Sequence, residues 1–191
     1  MLNFDNINKL EPKKGRILIS EPFLEDEYFK RSVILLCECN EEGAFGFILN
    51  NIMKIELSEL VEGVEIAGFN MSLGGPVQTS NLYYVHTLAE DIPGSVEVLP
   101  GLFVGGDFEI LKARIALNEI EADQIRFFLG YSGWSPNQLD EEMLQGSWFV
   151  SEVEAQQVMA GKQKKFWNET LVQMGGKFGM ISNFPENPQL N

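Results

Sequence analysis

The amino-acid sequence predicts an α+β protein built on a mixed, strongly bent β-sheet with helices beside it. Short apolar and β-branched runs typical of strands are mixed with helix signals, without a strict strand–helix alternation. The 191 residues contain no repeat, low-complexity stretch or linker. We therefore expect a single domain over residues 1–191, with a lead-in arm at 1–14 and an extended tail at 183–191.

The first half of the chain contains a predicted central hairpin. A first strand is expected over 15–20, and residues 32–38 form a near-continuous apolar run, which predicts a strand buried on both faces. A turn at 41–43 leads to a partner strand over 44–50, and a short helix is expected over 55–61. Shorter apolar runs predict further strands at 71–73, 82–86, 96–99, 102–104, 125–131 and 148–150.

Helix start signals concentrate in the second half. Asp107 is a candidate N-cap for a helix with its apolar stripe on Phe108, Leu111 and Ile115. Capping boxes are predicted at 135–138, with Pro136 at the first helical position, and at 151–154. A final helix follows with its apolar face between Phe166 and Met174, ended by Gly175 and Gly176.

The charge balance restricts the partners. Fourteen basic and 28 acidic residues give a net charge of −14, which disfavours nucleic acids and anionic membrane surfaces. The best candidate for a basic patch, Lys162 with Lys164 and Lys165, is expected to be a solvated face. No apolar run is long enough to span a membrane and the N-terminus lacks a signal-peptide pattern, so we expect a cytoplasmic protein.

No motif for a cofactor, metal or nucleophile is complete. Cys37 and Cys39 would share one face of a strand, and two cysteines with a single histidine do not complete a zinc site. Ser132 resembles a nucleophile elbow, but Trp134 stands where that motif needs glycine. Phosphate-binding glycine loops are absent, and we expect no cofactor.

Two side chains and three glycine clusters remain as candidates. His86, the one histidine, is either a hydrogen-bonded structural residue or an acid–base group. Arg31 either pairs with Asp26 or presents its guanidinium to an anionic ligand. The glycine clusters are either turns of a bent sheet or backbone that meets a ligand. The combined candidate binding groove comprises Arg31, Gly74, Gly75, Pro76, His86, Gly105, Gly106, Asp107, Tyr131 and Trp134.

Several of these segments together resemble one bacterial family. The matching stretches, in the family's order, are 29–38, 42–50, 73–77, 102–107, 128–139, 146–148 and 187–191. The chain is similar over nearly its whole length to the AlgH/YqgE family. Cys39 and Ser132 depart from the residues usual there, histidine and alanine. The resemblance implies an α+β fold with bent, branching sheets, and a proposed role of one member in transcriptional regulation, without established catalytic residues.

These observations favour a non-enzymatic binding or regulatory protein that acts through an unidentified protein or small-molecule partner. The alternative is an undescribed enzyme that uses His86 as acid or base, with Asp26, Asp107 or Arg31 nearby. Direct nucleic-acid binding is the least favoured hypothesis because of the charge.

Overall fold

A central β-sheet with helices on its faces is the main feature of the computed structural model, which describes residues 10–185. The predictions for the first nine residues of the lead-in arm and for 186–191 of the tail lie outside the described residues. The strands are β1 (Ile17–Ser20), β2 (Val33–Asn40), β3 (Gly43–Ile48), β4 (Ile52–Glu56), β5 (Asn70–Leu73), β6 (Val77–His86), β7 (Val96–Leu99), β8 (Leu102–Val104), β9 (Ile125–Trp134) and β10 (Trp148–Ser151).

The main path of the sheet runs in the order β10-β1-β2-β3-β9-β6-β8-β7. β9 is the branch point, because its later residues pair with β3 while Phe127 to Leu129 also pair with β5, which in turn pairs with β4. The β5–β9 pair is parallel and the other pairs are antiparallel. The predicted α+β class with a mixed, branching sheet is therefore confirmed.

Five helices are present in residues 10–185, and they only partly match the predicted ones. They are α1 (Phe108–Ala116), α2 (Gln138–Leu144), α3 (Ala155–Ala160), α4 (Phe166–Met174) and α5 (Gly176–Ile181). The Asp107 carboxylate caps α1 as predicted, accepting from the N–H groups of Glu109 at 3.0 Å and Ile110 at 3.1 Å. Among the described residues, no helix is both long and apolar enough to cross a membrane.

Three predictions about helix positions and their capping are wrong. The helix expected over 55–61 is a short 3-10 turn at Leu57–Glu59, because Ile52–Glu56 pairs with β5 as a strand. Pro136 precedes α2 instead of opening it, although the Gln138 side chain accepts from the Ser135 N–H as a capping box requires. The second capping box forms between Glu154 and Gln157, since Ser151 still belongs to β10.

The predicted burial of β2 on both faces is confirmed. Val33, Leu35 and Cys37 enter the apolar core that packs against α3, α4 and α5. Ile34 and Leu36 enter a different core on the opposite face, which includes Leu139 of α2 and the indoles of Trp134 and Trp148. A third core lies between α1 and the β5–β9–β6 part of the sheet.

A β-bulge corrects the prediction for the two cysteines. The pairing with β3 shifts between Leu36 and Glu38, which inserts one residue into β2. Cys37 consequently packs with the core next to α4, and Cys39 packs against the core on the opposite face. The cysteines do not share a face because the bulge reverses the alternation of side chains.

A buried cation joins the sheet to the helical layer. Arg126 on β9 is 2% exposed, and its guanidinium donates to the carbonyl oxygens of Leu49 at 2.5 Å and Val158 at 2.6 Å. Burial lowers the pKa of Arg126 to about 9. These contacts link β9 to the end of β3 and to α3. The burial of Arg126 is therefore explained by its role in holding these elements together.

Candidate functional site

The ten candidate residues do not converge on one groove but lie in several places. Gly74, Gly75 and Pro76 connect β5 to β6, whereas His86, Gly105, Gly106 and Asp107 surround the start of α1. Tyr131 and Trp134 line a groove at one end of β9, and Arg31 lines a separate cavity.

The first glycine cluster serves close packing of backbone segments. A Cβ atom on Gly74 would lie 2.3 Å from the Gly130 carbonyl oxygen, and one on Gly75 would lie 2.3 Å from the Tyr131 carbonyl carbon. The Gly74 carbonyl accepts hydrogen bonds from the Ile48 N–H at 2.9 Å and the Ser132 hydroxyl at 3.0 Å. These glycines therefore face β9 and β3, and the Ser132 hydroxyl is engaged in the same packing.

His86 holds the turn before α1. It is fully buried, Nδ1 accepts from the Leu88 N–H at 3.2 Å, and Nε2 lies 3.0 Å from the Gly105 carbonyl oxygen. Because Nδ1 accepts, the proton of the neutral ring is on Nε2. Tyr84 makes a similar contact, because its hydroxyl donates a hydrogen bond to the Gly106 carbonyl oxygen at 2.6 Å.

The pKa values of His86 and Tyr84 are both shifted from their ordinary values. Burial lowers the pKa of His86, and the bond to the Gly105 carbonyl opposes that shift. Burial, with the nearby Asp107 charge, raises the pKa of Tyr84 to about 12. Both side chains are therefore neutral near pH 7 and support the Gly105–Gly106 turn through hydrogen bonds.

An open groove is lined mainly by residues of β2, β3 and β9. We call it the acidic groove, and its volume is about 520 Å³. Its lining comprises Glu38, Asn40, Glu42, Gly43, Ala44, Phe45, Val77, Tyr131, Gly133, Trp134, Ser135 and Pro136. Of these, Tyr131 and Trp134 were candidates from the sequence.

Strand register explains how this groove is assembled. Glu38 pairs with Phe45, and Phe45 pairs with Gly133, so the three residues form a row across β2, β3 and β9. Tyr131 lies two residues before Gly133 and therefore on the same face of the sheet. The Tyr131 ring lies beside Gly133, where an added Cβ would be 3.0 Å from the ring.

Aromatic contacts fix the apolar part of the groove. The Phe45 and Tyr131 rings meet edge to face with centroids 6.1 Å apart, and Tyr83 meets Tyr131 in the same way at 5.6 Å. Phe45 and Tyr131 are only half-buried and pack against the edge of the core next to α4. Their outer surfaces remain available to a ligand.

Trp134 belongs mainly to the opposite face. It is 6% exposed, and its indole N–H donates to the Glu142 carboxylate at 2.9 Å. Trp148 donates to the same carboxylate oxygen at 2.7 Å. Glu142 thus anchors two indoles, and the Trp134 side chain has a packing role beneath the groove.

Glu38 and Glu42 supply the negative charge at the groove. The Asn40 amide donates to Glu38 at 2.8 Å and its oxygen accepts from the Glu42 N–H at 2.8 Å, which orders the rim. Within residues 10–185, no lysine or arginine forms an ion pair with Glu38 or Glu42. The same part of the chain contains no cluster of His, Cys, Asp or Glu arranged to hold a metal ion.

Most lining residues of the acidic groove could not be identified from the sequence, because they come close to one another only through the register of β2, β3 and β9. Glu42 was assigned to a turn, and Glu38 stands at the end of an apolar run, where nothing local distinguishes it. Alternation after Leu36 points to the wrong face because of the bulge. The local signal in the sequence was an aromatic residue, Phe45, shortly after Glu41 and Glu42.

The structure thus defines an α+β protein with a branched sheet and an open, acidic and aromatic groove. The family model described as DUF179, AlgH-like, matches residues 17–179, and the chain belongs to that family. It is 41% identical to UPF0301 protein CT0663 of Chlorobaculum tepidum, over 94% of this chain and 96% of that protein. It is also 41% identical to a UPF0301 protein of Bacteroides thetaiotaomicron, over 96% of this chain and 94% of that relative.

Two solved structures share the fold. The crystal structure of protein DIP2367 from Corynebacterium diphtheriae superposes with a TM-score of 0.76 and 23% identity, covering 95% of this chain and 97% of that one. The solution structure of the AlgH protein from Pseudomonas aeruginosa gives a TM-score of 0.71 and 22% identity, covering 93% and 98%.

Proposed function

We propose that this protein is a non-enzymatic, cytoplasmic binding protein whose acidic groove docks a short cationic segment of a partner protein. A regulatory role, including one in transcription, would then be exerted through that partner. The observation that carries the proposal is the presence of Glu38 and Glu42, without ion-pair partners in residues 10–185, beside the half-exposed rings of Phe45 and Tyr131.

This combination suits an arginine or lysine side chain. A carboxylate forms short, charge-assisted hydrogen bonds with a guanidinium or ammonium group. The face of an aromatic ring attracts the same cation, contributing roughly 0.5–1 kcal/mol at an exposed position. Apolar surface on Phe45 and Val77 would accommodate a neighbouring apolar side chain of the segment.

The charge of the whole molecule supports a cationic protein partner. A net charge of −14 accelerates association with positive partners and repels polyanions, so direct nucleic-acid binding is not part of this proposal. Binding to the groove would weaken as salt rises, because the interacting charges are exposed.

The environment of His86 counts against the alternative enzyme. A general acid or base must reach a substrate proton, directly or through one water molecule. His86 is fully buried, both of its ring nitrogens are hydrogen-bonded to the backbone, and it lines neither the acidic groove nor the cavity of Arg31.

Selection from a random peptide library on immobilised protein tests the proposal. We expect the wild type to enrich peptides that contain arginine or lysine next to an aromatic or aliphatic residue. The double variant Glu38→Gln/Glu42→Gln should weaken binding of the selected peptides roughly tenfold or more, and Tyr131→Leu about threefold.

The control variant Glu90→Gln/Glu121→Gln removes the same charge from exposed positions away from the groove. It should bind the selected peptides as the wild type does. Equal losses in the groove variant and the control would mean that net charge alone drives binding, and the proposal would be wrong.

A further inference from the structure

A second cavity, of about 390 Å³, lies beside Arg31 on another part of the molecule. Residues from the segment before β2, the loop after β3 and the start of α4 line it. They are Glu27, Tyr28, Lys30, Arg31, Ser32, Ile48, Asn50, Asn51, Lys164, Lys165 and Asn168. Four of these residues are cationic and one is anionic, in a chain whose net charge is −14.

The backbone of Arg31 is held in an uncommon conformation. Its φ of 50° lies in the left-handed region, which non-glycine residues adopt at an energetic cost. Asn50, 5% exposed, stabilises this conformation by donating to the Arg31 carbonyl oxygen at 2.8 Å and accepting from the Val33 N–H at 2.9 Å. The two hydrogen bonds of Asn50 thus hold the backbone next to the cavity in a fixed conformation.

An aromatic ring and a backbone carbonyl orient the guanidinium of Arg31. It lies over the Trp167 ring, 4.7 Å from its centroid, and donates to the Phe184 carbonyl oxygen. Asp26, the ion-pair partner considered from the sequence, instead accepts from the N–H groups of Tyr28 at 2.8 Å and Phe29 at 3.0 Å. Within residues 10–185, Arg31 forms no ion pair.

Three lysines add charge at the same cavity. Lys30 and Lys164 are exposed and have no ion-pair partner in the described part of the chain. Lys165 contacts Glu169 at 3.0 Å, but both side chains are exposed, so this pair contributes little. Lys164 and Lys165 were expected to form a solvated face; both are exposed, and both line this cavity.

Two buried polar atoms next to this cavity are unsatisfied within the described residues. The Ser32 hydroxyl and the Arg31 Nε are buried without a hydrogen-bond partner among residues 10–185. Ser32 is 2% exposed and lines this cavity. An unsatisfied buried polar group is costly, and a polar ligand or a water molecule that it holds would remove the cost.

We propose that this cavity is a binding site for the phosphate group of a small anionic ligand. A guanidinium positioned against an aromatic ring presents a planar fork of donors, which matches phosphate oxygens, while lysines act as mobile point charges. The volume lies in the range of small-molecule sites. The net charge of −14 opposes a polyanion, so the phosphate belongs to a small molecule rather than to nucleic acid.

Calorimetric titration with pyrophosphate at low ionic strength tests this site. We expect saturable binding of one pyrophosphate per chain. The variant Lys30→Gln/Lys164→Gln should weaken it roughly tenfold or more, because two charge-assisted contacts are lost. Arg31→Lys keeps the charge but loses the fork, and should also weaken binding. The matched control Lys13→Gln/Lys54→Gln removes two exposed lysines elsewhere and should leave the affinity unchanged.

Three results would overturn the proposal. One is no binding at roughly 10 mM pyrophosphate. Another is equal weakening in the cavity variant and in the matched control. The third is binding of citrate as tight as that of pyrophosphate, which would assign the site to anions in general. None of these results bears on the acidic groove, so this test and the peptide selection succeed or fail independently.

Discussion

His86 illustrates how one buried side chain can define a turn. Its ring links β6 to the Gly105 carbonyl and to the Leu88 N–H, and stacks on Phe103 at a centroid distance of 5.9 Å. The bond from the Leu88 N–H requires an unprotonated Nδ1. Protonation of His86 would therefore break a backbone contact as well as place a charge in an apolar environment.

The pKa shift of His86 predicts a pH dependence of stability. Burial holds the folded-state pKa below the unfolded value, so the unfolded chain binds more protons as pH falls through about 6.5. The free energy of unfolding should thus decrease from about pH 7 to about pH 5.5, by at most about 1.4 kcal/mol per pH unit from this group.

Urea denaturation of the wild type and of His86→Gln across this range measures the effect. The carboxylates are common to both proteins, so their contributions largely cancel in the difference. We expect the variant to be less stable at pH 7 and to show a shallower decline toward acid pH. Parallel pH profiles would contradict the neutral, hydrogen-bonded role of His86.

At the residue scale, sequence patterns predicted roles but seldom partners. The Asp107 cap follows from local geometry and was predictable. Arg31 allowed two hypotheses, and the choice depended on where Asp26, Trp167 and Phe184 lie in the fold. Glu142 accepts hydrogen bonds from the indoles of Trp134 and Trp148, and no local sequence pattern reveals these contacts.

At the element scale, β2 is the strand that contributes both to the apolar cores and to the acidic groove. Its apolar residues up to Cys37 alternate between two cores, and the bulge before Glu38 then reverses the pattern. The run of apolar residues made this strand predictable. The bulge was not, because it is set by pairing with β3 and not by composition.

The bulge predicts unequal reactivity of the two thiols. Burial raises the pKa of Cys37, and Lys14 only partly offsets this; burial and the Asp140 charge raise the pKa of Cys39, which is only half-buried. Near pH 8, native Cys39 should react slowly with a thiol reagent. The reaction of Cys37 should be slowed by a factor of more than about 100 relative to the unfolded chain, because the reagent reaches this thiol only when the core opens.

Mass spectrometry of timed labelling distinguishes the two sites, and Cys39→Ser isolates Cys37. In that variant we expect almost no labelling until denaturant is added. Equal labelling rates for the two native thiols would place them on one face of an unbulged strand and contradict the register described here.

At the scale of the whole molecule, charge is segregated. The acidic groove displays Glu38 and Glu42 beside aromatic rings, whereas the cavity of Arg31 gathers four cations despite the net charge of −14. The fold class, the central hairpin and the absence of strict strand–helix alternation were accessible from the sequence. Arg31, Tyr131 and Trp134 were candidates from the sequence, but the two complete sites were not predictable, because each is assembled from segments that are distant in the chain.

The most direct test of the central claim is an NMR titration of the ¹⁵N-labelled protein with a short peptide that alternates arginine and tryptophan. We predict saturable shifts concentrated in residues 38–45 and 131–136, the two segments that supply most of the lining of the acidic groove, with little change around His86 or Arg31. Shifts spread evenly over acidic surface residues, or absent from both of these segments, would contradict the assignment of the groove as a docking site for a cationic segment.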